Sequence, residues 1–408
     1  MTKPDEADGR DRPPILAVAL DGAGWHPAAW RADGAEPREL TSIRYWRSLV
    51  ADAERAGADL VTFEDSFGAP HRDDAETQRH VTARLDALLV ASAVAPSTSR
   101  IGLVPTVTVT HTEPFHVATA LQTLDFASLG RAGWQVRVSP SASERSLTGR
   151  RDVAIPLPYE ADDPETARRV TALFDEAGDV VEVSRRLWDS WEDDAIIRDA
   201  PTGRFLDRDR IHNANFEGDT FAVEGASIVP RSPQAQPLVA ALAHASVPFA
   251  FTAEHADLVY TTPHDEADAI GILAELGELA ERADRPARGL APLRRLADLV
   301  VLLDERPGRA AAELARLDEL DGTPLASDAL VFAGTPDELV DLVRSWTALG
   351  FDGVRFRPAR LPGDLAAIAE TVGPALVGDR SDERPGTLRD RLGLERPANR
   401  YATNRVSA

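Results

Sequence analysis

Eight short runs rich in β-formers recur along the chain, nearly all separated by longer stretches with helical periodicity. This alternation constrains the fold more than any other feature. The runs are Ile15–Leu20, Ala58–Glu64, Ile101–Val109, Gly133–Ser139, Pro237–Ala243, Ala256–Thr262, Ala297–Leu303 and Asp352–Pro358. Each is close to uninterrupted in apolar residues, as expected of strands covered on both faces. Helical patterns fall at Ser42–Arg55, Ala75–Val94, Pro114–Leu129, Glu165–Trp191, Asp265–Ala283, Pro336–Leu349 and Asp364–Val377. In the first of these, Ile43, Trp46, Leu49, Val50 and Ala53 mark one stripe. Repeated βα units imply a parallel sheet, and eight of them close most simply into an α/β architecture, a (β/α)8 TIM barrel with insertions.

The expected organisation is a single barrel domain over residues 1–378, with an insertion at about 197–235 and a C-terminal arm at 379–408. Within the insertion, "FEGDTFAVEG" has the spacing of a short hairpin. The arm is charged and Pro-bearing, which suits an exposed arm or an oligomer contact. The opening "MTKPDEADGRDRPP" does not resemble a signal peptide, and the first apolar run is too short to span a membrane. The expectation is therefore a cytoplasmic protein without a membrane partner. A formal charge of −22 argues against a nucleic-acid partner. The absence of cysteine excludes disulfides and thiolate chemistry, and Lys3, the only lysine, leaves no buried Schiff-base candidate.

In a parallel barrel the carboxyl ends of the strands share one cavity, so polar residues there are candidates for a site. They include Asp21, Glu64, Asp65, Thr106 to His111, Gln135, Ser139, His244, Ser246, Thr261, Thr262, Asp304 and Arg357. Thr106, Thr108 and Gln135 lie inside strands, where buried polar groups need partners. "LDGAGWHP" carries Gly22 and Gly24 but no third glycine in register, so a dinucleotide loop is disfavoured against an ordinary barrel loop whose glycines let the chain turn, with Trp25, His26 and Trp30 either lining a pocket mouth or packing the loop. His111, Glu113 and His116 do not have helical zinc spacing, and no metal is expected; Thr112 reads as the cap of the helix that follows. A lining of hydroxyl, amide and imidazole groups suits a heteroaromatic cofactor that carries the chemistry.

"LWDSWEDDAI" (Leu187–Ile196), "GRFLDRDRIH", "FEGDTFAVEG" and "VPRSPQAQP" resemble bacterial-luciferase-like flavin-dependent monooxygenases. The resemblance is to the branch with nitrilotriacetate monooxygenase component A and the dibenzothiophene-sulfone monooxygenases, and it runs from about residue 20 to 265. It implies a TIM barrel that uses reduced FMN from a separate flavin reductase, with O2 and a small-molecule substrate, or in some relatives coenzyme F420 for hydride transfer. A homodimer or homotetramer is implied as well.

By motif position, Asp65 matches the Asp of the family's "ADS" element, Thr108 the Ser/Thr of its third strand, and Gln135 the Asn of its fourth. His116 matches the His of "EPYH" and, with His111, is a catalytic candidate. The glycine-bearing phosphate loop of the family is replaced by "AHASVP", which leaves Ala245 and Ser246 to anchor a phosphate through backbone N–H groups. The change leaves a non-catalytic partner subunit as a further alternative.

Overall fold

The computed structural model describes residues 12–68, 79–155, 163–378, 380 and 386–402. Eight parallel strands form the barrel: β1 (Ile15–Leu20), β2 (Leu60–Phe63), β3 (Gly102–Thr108), β4 (Gly133–Arg137), β9 (Leu238–Leu242), β10 (Leu258–Thr261), β11 (Arg294–Leu303) and β13 (Gly353–Pro358). They hydrogen-bond in that order, and pairing of β13 with β1 closes the ring. All eight expected strands are present. Between β4 and β9 lie two antiparallel hairpins, β5 (Ile196–Asp199) with β6 (Arg204–Leu206), and β7 (Phe216–Glu217) with β8 (Ala222–Val223). The second is the hairpin expected in "FEGDTFAVEG".

One strand is additional. β12 (Leu330–Gly334) pairs with the C-terminal half of β11, Leu299 opposite Leu330, on the edge where β10 pairs with the N-terminal half, Leu258 opposite Arg294.

The helices are α1 (Ile43–Arg55), α2 (Ala87–Val94), α3 (Pro114–Ala127), α4 (Ala142–Thr148), α5 (Pro164–Asp189), α6 (Ser246–His255), α7 (Glu266–Arg282), α8 (Arg309–Asp321) and α9 (Pro336–Leu349). A last helical stretch runs from Gly363 to Val377 with a π turn at Ile368–Val372. Three departures from expectation have simple causes. α1 buries Tyr45, Trp46, Leu49, Val50 and Ala53, while Ile43, its first residue, faces outward. α2 begins at Ala87, where Asp86 caps it by accepting from Leu89 N, so residues 80–86 are not helical and residues 75–78 lie outside the described chain. α3 is preceded by Glu113 rather than Thr112, whose hydroxyl instead donates to the Thr108 carbonyl at 2.7 Å. No described helix is long and apolar enough to cross a membrane.

Alternate residues of each strand point to opposite faces. Leu16, Val18, Val61, Phe63, Val354 and Phe356 pack outward against the helices. Ile15, Leu60, Leu238, Leu258 and Leu296 fill the N-terminal end of the interior together with Leu388, Leu392 and Leu394 from the C-terminal segment. The arm, expected to be exposed or to form an oligomer contact, puts its apolar residues under the barrel. α10 (Leu388–Arg391) is fixed there by a capping box between Thr387 and Asp390. Arg389 meets Asp257 at 2.8 Å, and Arg391 meets Asp59 at 3.1 Å. Both carboxylates immediately precede strands.

α5 and α6 pack closely, with Phe174 and Phe251 ring centroids 5.6 Å apart. A Cβ on Gly178 of α5 would come within 2.8 Å of His255 Nε2. Burial, reinforced by the charges of Arg288 and Arg185, pushes the pKa of His255 down to about 4. The unfolded chain therefore binds the proton more tightly. The stability this neutral imidazole supplies is complete above pH ~6.5 and is lost as pH falls toward 4, by about 3 kcal/mol in all. Urea unfolding of wild type and His255→Gln at pH 7.5 and 4.5 checks this: wild type should lose more stability than the variant between the two pH values, and equal losses would refute the assignment.

Candidate active site

At the C-terminal half of the barrel the inward positions become polar. Arg355 and Arg357 stand two apart on β13, so they share the inner face. Asp298 of β11 lies beside Arg355 in register. Arg355 Nε donates to Asp298 Oδ1 at 2.8 Å, and its Nη1 donates to Gln135 Oε1 at 2.5 Å and to Thr62 Oγ1 at 3.3 Å. Arg357 Nε reaches Asp298 Oδ2 at 2.8 Å, and Nη1 reaches Asp328 at 2.7 Å. Burial opposes the charge on Arg357, yet Asp298 and Asp328 outweigh it and hold the guanidinium more firmly protonated than usual. The Tyr260 ring lies 3.7 Å from the Arg355 guanidinium carbon.

Glu64 forms the half-buried end of this network. It accepts from Arg355 Nη1 at 3.4 Å, from Gln135 Nε2 at 3.3 Å and from Thr62 at 3.3 Å. Thr106 pairs in register with Gln135, and its buried hydroxyl has no partner among the described residues. The Tyr260 hydroxyl is also unpartnered. Buried polar groups of this kind call for a partner supplied from outside the chain or by water.

Beside the network a cleft, partly open to solvent, is lined by Asp21, Trp25, His26, Trp30, His80 and Arg84 among others. Arg84 donates twice to Asp21 at 2.8 Å and once to Ser66 Oγ at 3.0 Å. Burial raises the Asp21 pKa above the usual carboxylate range, with Arg84 opposing. His26 Nδ1 accepts from Ala28 N at 3.0 Å, so Nε2 carries the hydrogen given to Asp318, also at 3.0 Å. A Cβ on Gly24 would meet the Ala359 carbonyl oxygen at 2.3 Å. That glycine serves close packing of the β1 loop on the end of β13, while Trp25, His26 and Trp30 line the mouth as expected.

The residues singled out in the sequence fall in distinct places. Gln135 is in the interior network, its oxygen taken by Arg355. Thr108 Oγ1 accepts from Arg137 at 2.9 Å, which leaves its own hydrogen free to donate. Asp65 is half-buried and accepts from Ser66 N at 2.7 Å and Ala87 N at 2.8 Å, so it braces the start of α2. His111 is buried, at φ +71°, with neither ring nitrogen hydrogen-bonded. His116 is exposed on the first turn of α3, whose buried face carries Val117, Ala118 and Leu121 instead. The structure does not bring it to the cluster, because Pro114 starts the helix and turns that position outward.

Ala245 and Ser246 open α6 and are exposed. Ala245 is the N-cap with extended backbone and no side-chain cap, so no side chain among the described residues caps the first N–H groups. Pro248 has no N–H and Phe249 N bonds to Ala245 O, which leaves Ser246 and Val247 as the donors. Arg355, Asp298, Arg84, Arg137 and Glu144 were not singled out in the sequence. The two-residue spacing of Arg355 and Arg357 was the signal available for the first.

The model of the luciferase-like monooxygenase family matches residues 24–324. N-acetyl-S-(2-succino)cysteine monooxygenase of Bacillus subtilis (strain 168) is 29% identical, covering 95% of this chain and 98% of its own. Nitrilotriacetate monooxygenase component A of Aminobacter aminovorans is 27% identical over 97% and 99%. The crystal structure of a long-chain alkane monooxygenase superposes with a TM-score of 0.80 at 22% identity, over 96% of both chains.

Proposed function

The chain belongs to the luciferase-like monooxygenase family, and from that premise we propose that it oxygenates a small organic substrate as the flavin-using component of a two-component monooxygenase, taking reduced FMN from a separate reductase. The observation that carries the reading is a polar barrel mouth with unpaired buried groups at Thr106, Tyr260 and His111 beside an uncapped helix start. These features fit a flavin. The N–H groups of Ser246 and Val247, aided by the helix dipole, would hold its phosphate. Thr108 and Thr106 would offer hydroxyls to the ring, with Gln135 and Asp65 acting by fixing their neighbours.

When bound, reduced FMN supplies the electrons that activate O2. The chain's own part is to orient and to manage protons. Burial first, then the charges of Arg151 and Arg150, keep the His111 pKa below its ordinary value, so the imidazole is neutral at pH 7 with one nitrogen to donate and one to accept. It is the proposed proton carrier of the site; His116, being exposed, is not. The Arg355–Asp298 pair fixes Gln135 and Glu64 on the floor of the cavity.

Ala245→Asp tests the phosphate assignment with two opposed readouts. The new carboxylate caps α6, where residue 245 already has extended backbone, and should add about 0.5–1 kcal/mol of stability. It also repels a phosphate at the same N–H groups, so affinity for photoreduced FMN under argon should fall roughly tenfold while that for reduced riboflavin stays unchanged. Equal affinity for both flavins in wild type and variant would remove α6 from the site. Substrate turnover on reduced F420 without oxygen uptake would replace the monooxygenase reading altogether.

A further inference from the structure

We propose that the cleft between the β1 loop and the segment leading into α2 is the substrate pocket, and that it takes an uncharged aromatic molecule seated against indole rings. This deepens the flavin-monooxygenase reading and rests on it for the reaction that follows binding. The preference for an uncharged ligand stands on the cleft alone.

Three indoles line the cleft, Trp25, Trp30 and Trp46, with Leu40, Val81 and Leu85 beside them. The charged and polar side chains among them are already engaged. Arg84 gives one terminal nitrogen to both Asp21 oxygens and the other to Ser66 Oγ. His26 spends both ring nitrogens, on Ala28 N and on Asp318. The Trp46 N–H donates to Leu40 O at 3.0 Å, and the Trp30 N–H to Arg79 O at 2.9 Å. A carboxylate entering here would have to displace Asp21 from Arg84, and it would place a second negative charge beside a carboxyl whose ionisation burial already disfavours. An unmatched charge in such a place costs more than apolar contact returns. An aromatic ring meets no such cost, and its contacts with indole faces add affinity beyond the area they bury.

The walls are built before a ligand arrives. Two segments far apart in the chain form them, and both are tied to the end of α8. His26 meets Asp318 at 3.0 Å, His80 meets Asp321 at 2.8 Å, and Arg79 donates to Leu320 O at 3.0 Å. Both imidazoles are sealed, at 0% and 5% side-chain exposure. The bond from Trp30 to Arg79 joins the two walls to each other. Rings fixed in this way lose little freedom when a ligand binds, so more of the contact energy appears as affinity.

The cleft also adjoins the place where a flavin would react. The Trp25 ring centroid lies 5.8 Å from the Arg357 guanidinium carbon, so the inner wall abuts the network on the barrel floor. The strand before α6 is β9, which stands across the ring from β1. A molecule in the cleft therefore leaves the N–H groups of Ser246 and Val247 free for a phosphate.

The test is calorimetry on the full chain with a matched pair of probes, thioanisole and 4-(methylthio)benzoate, which differ by one carboxylate. Wild type should bind thioanisole saturably and at least tenfold more tightly than the acid. Trp25→Leu and Trp30→Leu should each weaken thioanisole binding three- to tenfold. Val81→Arg puts an unmatched guanidinium on the half-buried wall and should raise affinity for the acid about tenfold. This last variant decides the matter if the leucine variants do not fold, because an unchanged preference would place thioanisole elsewhere. Equal or tighter binding of the acid by wild type, no saturable thioanisole binding up to its solubility, or leucine variants within about twofold of wild type would each overturn the assignment. Anaerobic titration with reduced FMN keeps the two readings apart. Thioanisole binding that follows these expectations in a chain that takes up no flavin would leave the cleft standing and overturn the flavin reading, while flavin binding with a preference for the acid would do the reverse.

Discussion

Arg355→Met is expected to lower the free energy of unfolding by about 3–5 kcal/mol, because it breaks a buried ion pair from one side only. Arg355 and Asp298 are both sealed from solvent. Methionine fills much of the volume, so the loss is electrostatic more than steric. Asp298 keeps Arg357, which limits the damage, but Gln135 Oε1 and Thr62 Oγ1 lose their donor and the Tyr260 ring loses its cation. The second consequence is functional. Glu64 and Gln135 are held at the cavity floor by the same guanidinium, so the folded variant should also bind reduced FMN less tightly. Urea unfolding at pH 7.5 with a common slope gives the first quantity, and anaerobic flavin titration well below the unfolding midpoint gives the second. A stability loss under about 1 kcal/mol would place this network with ordinary surface pairs.

The same network shows where sequence reading succeeds and where it stops. The eight barrel strands were legible because each carries a compact run of β-formers, nearly all of them separated by long helical patterns. Their near-continuous apolar character concealed a second rhythm. Thr62 and Glu64, Thr106 and Thr108, Gln135 and Arg137, and Arg355 and Arg357 are each two residues apart, the period that puts a pair on one face of a strand. Read together they announce a polar upper interior.

β12 escaped notice because all five of its residues are half-exposed and it pairs only with β11. α6 escaped because "SVPFAFTAEH" is apolar on most sides and has no helical period to detect. For the site, motif position placed Gln135 and Thr108 at the rim but could not say that Arg355 and Arg137 already engage them. His116 shows the complementary case: a motif match fixes a place in the chain, while the structure puts that place on the exposed face of α3.

At the opposite end of the barrel, Leu388→Ala is expected to cost about 2–5 kcal/mol, the range for a buried leucine whose surroundings cannot collapse. Leu388 is fully buried among Leu60, Leu238, Leu258 and Leu296. The fit is tight: a Cβ on Gly102 would meet Leu388 Cδ1 at 2.6 Å. The backbone around it is pinned, with Leu388 N bonded to Gly130 O at 2.9 Å and Arg389 N to Gln234 Oε1 at 3.0 Å, so the segment cannot sink into the space left by the lost methyls. Conservation of side-chain volume should rescue it, so Leu388→Met should cost less than about 1.5 kcal/mol.

Because the plug sits at the N-terminal mouth, which in this architecture serves stability, reduced FMN affinity of the folded Leu388→Ala protein should stay within about twofold of wild type. That separates it from Arg355→Met, where stability and affinity fall together. A flavin affinity that drops in step with stability in Leu388→Ala would mean that the two ends of the barrel are mechanically coupled, and a stability loss below about 1 kcal/mol would mean that the arm lies on the barrel without sealing it.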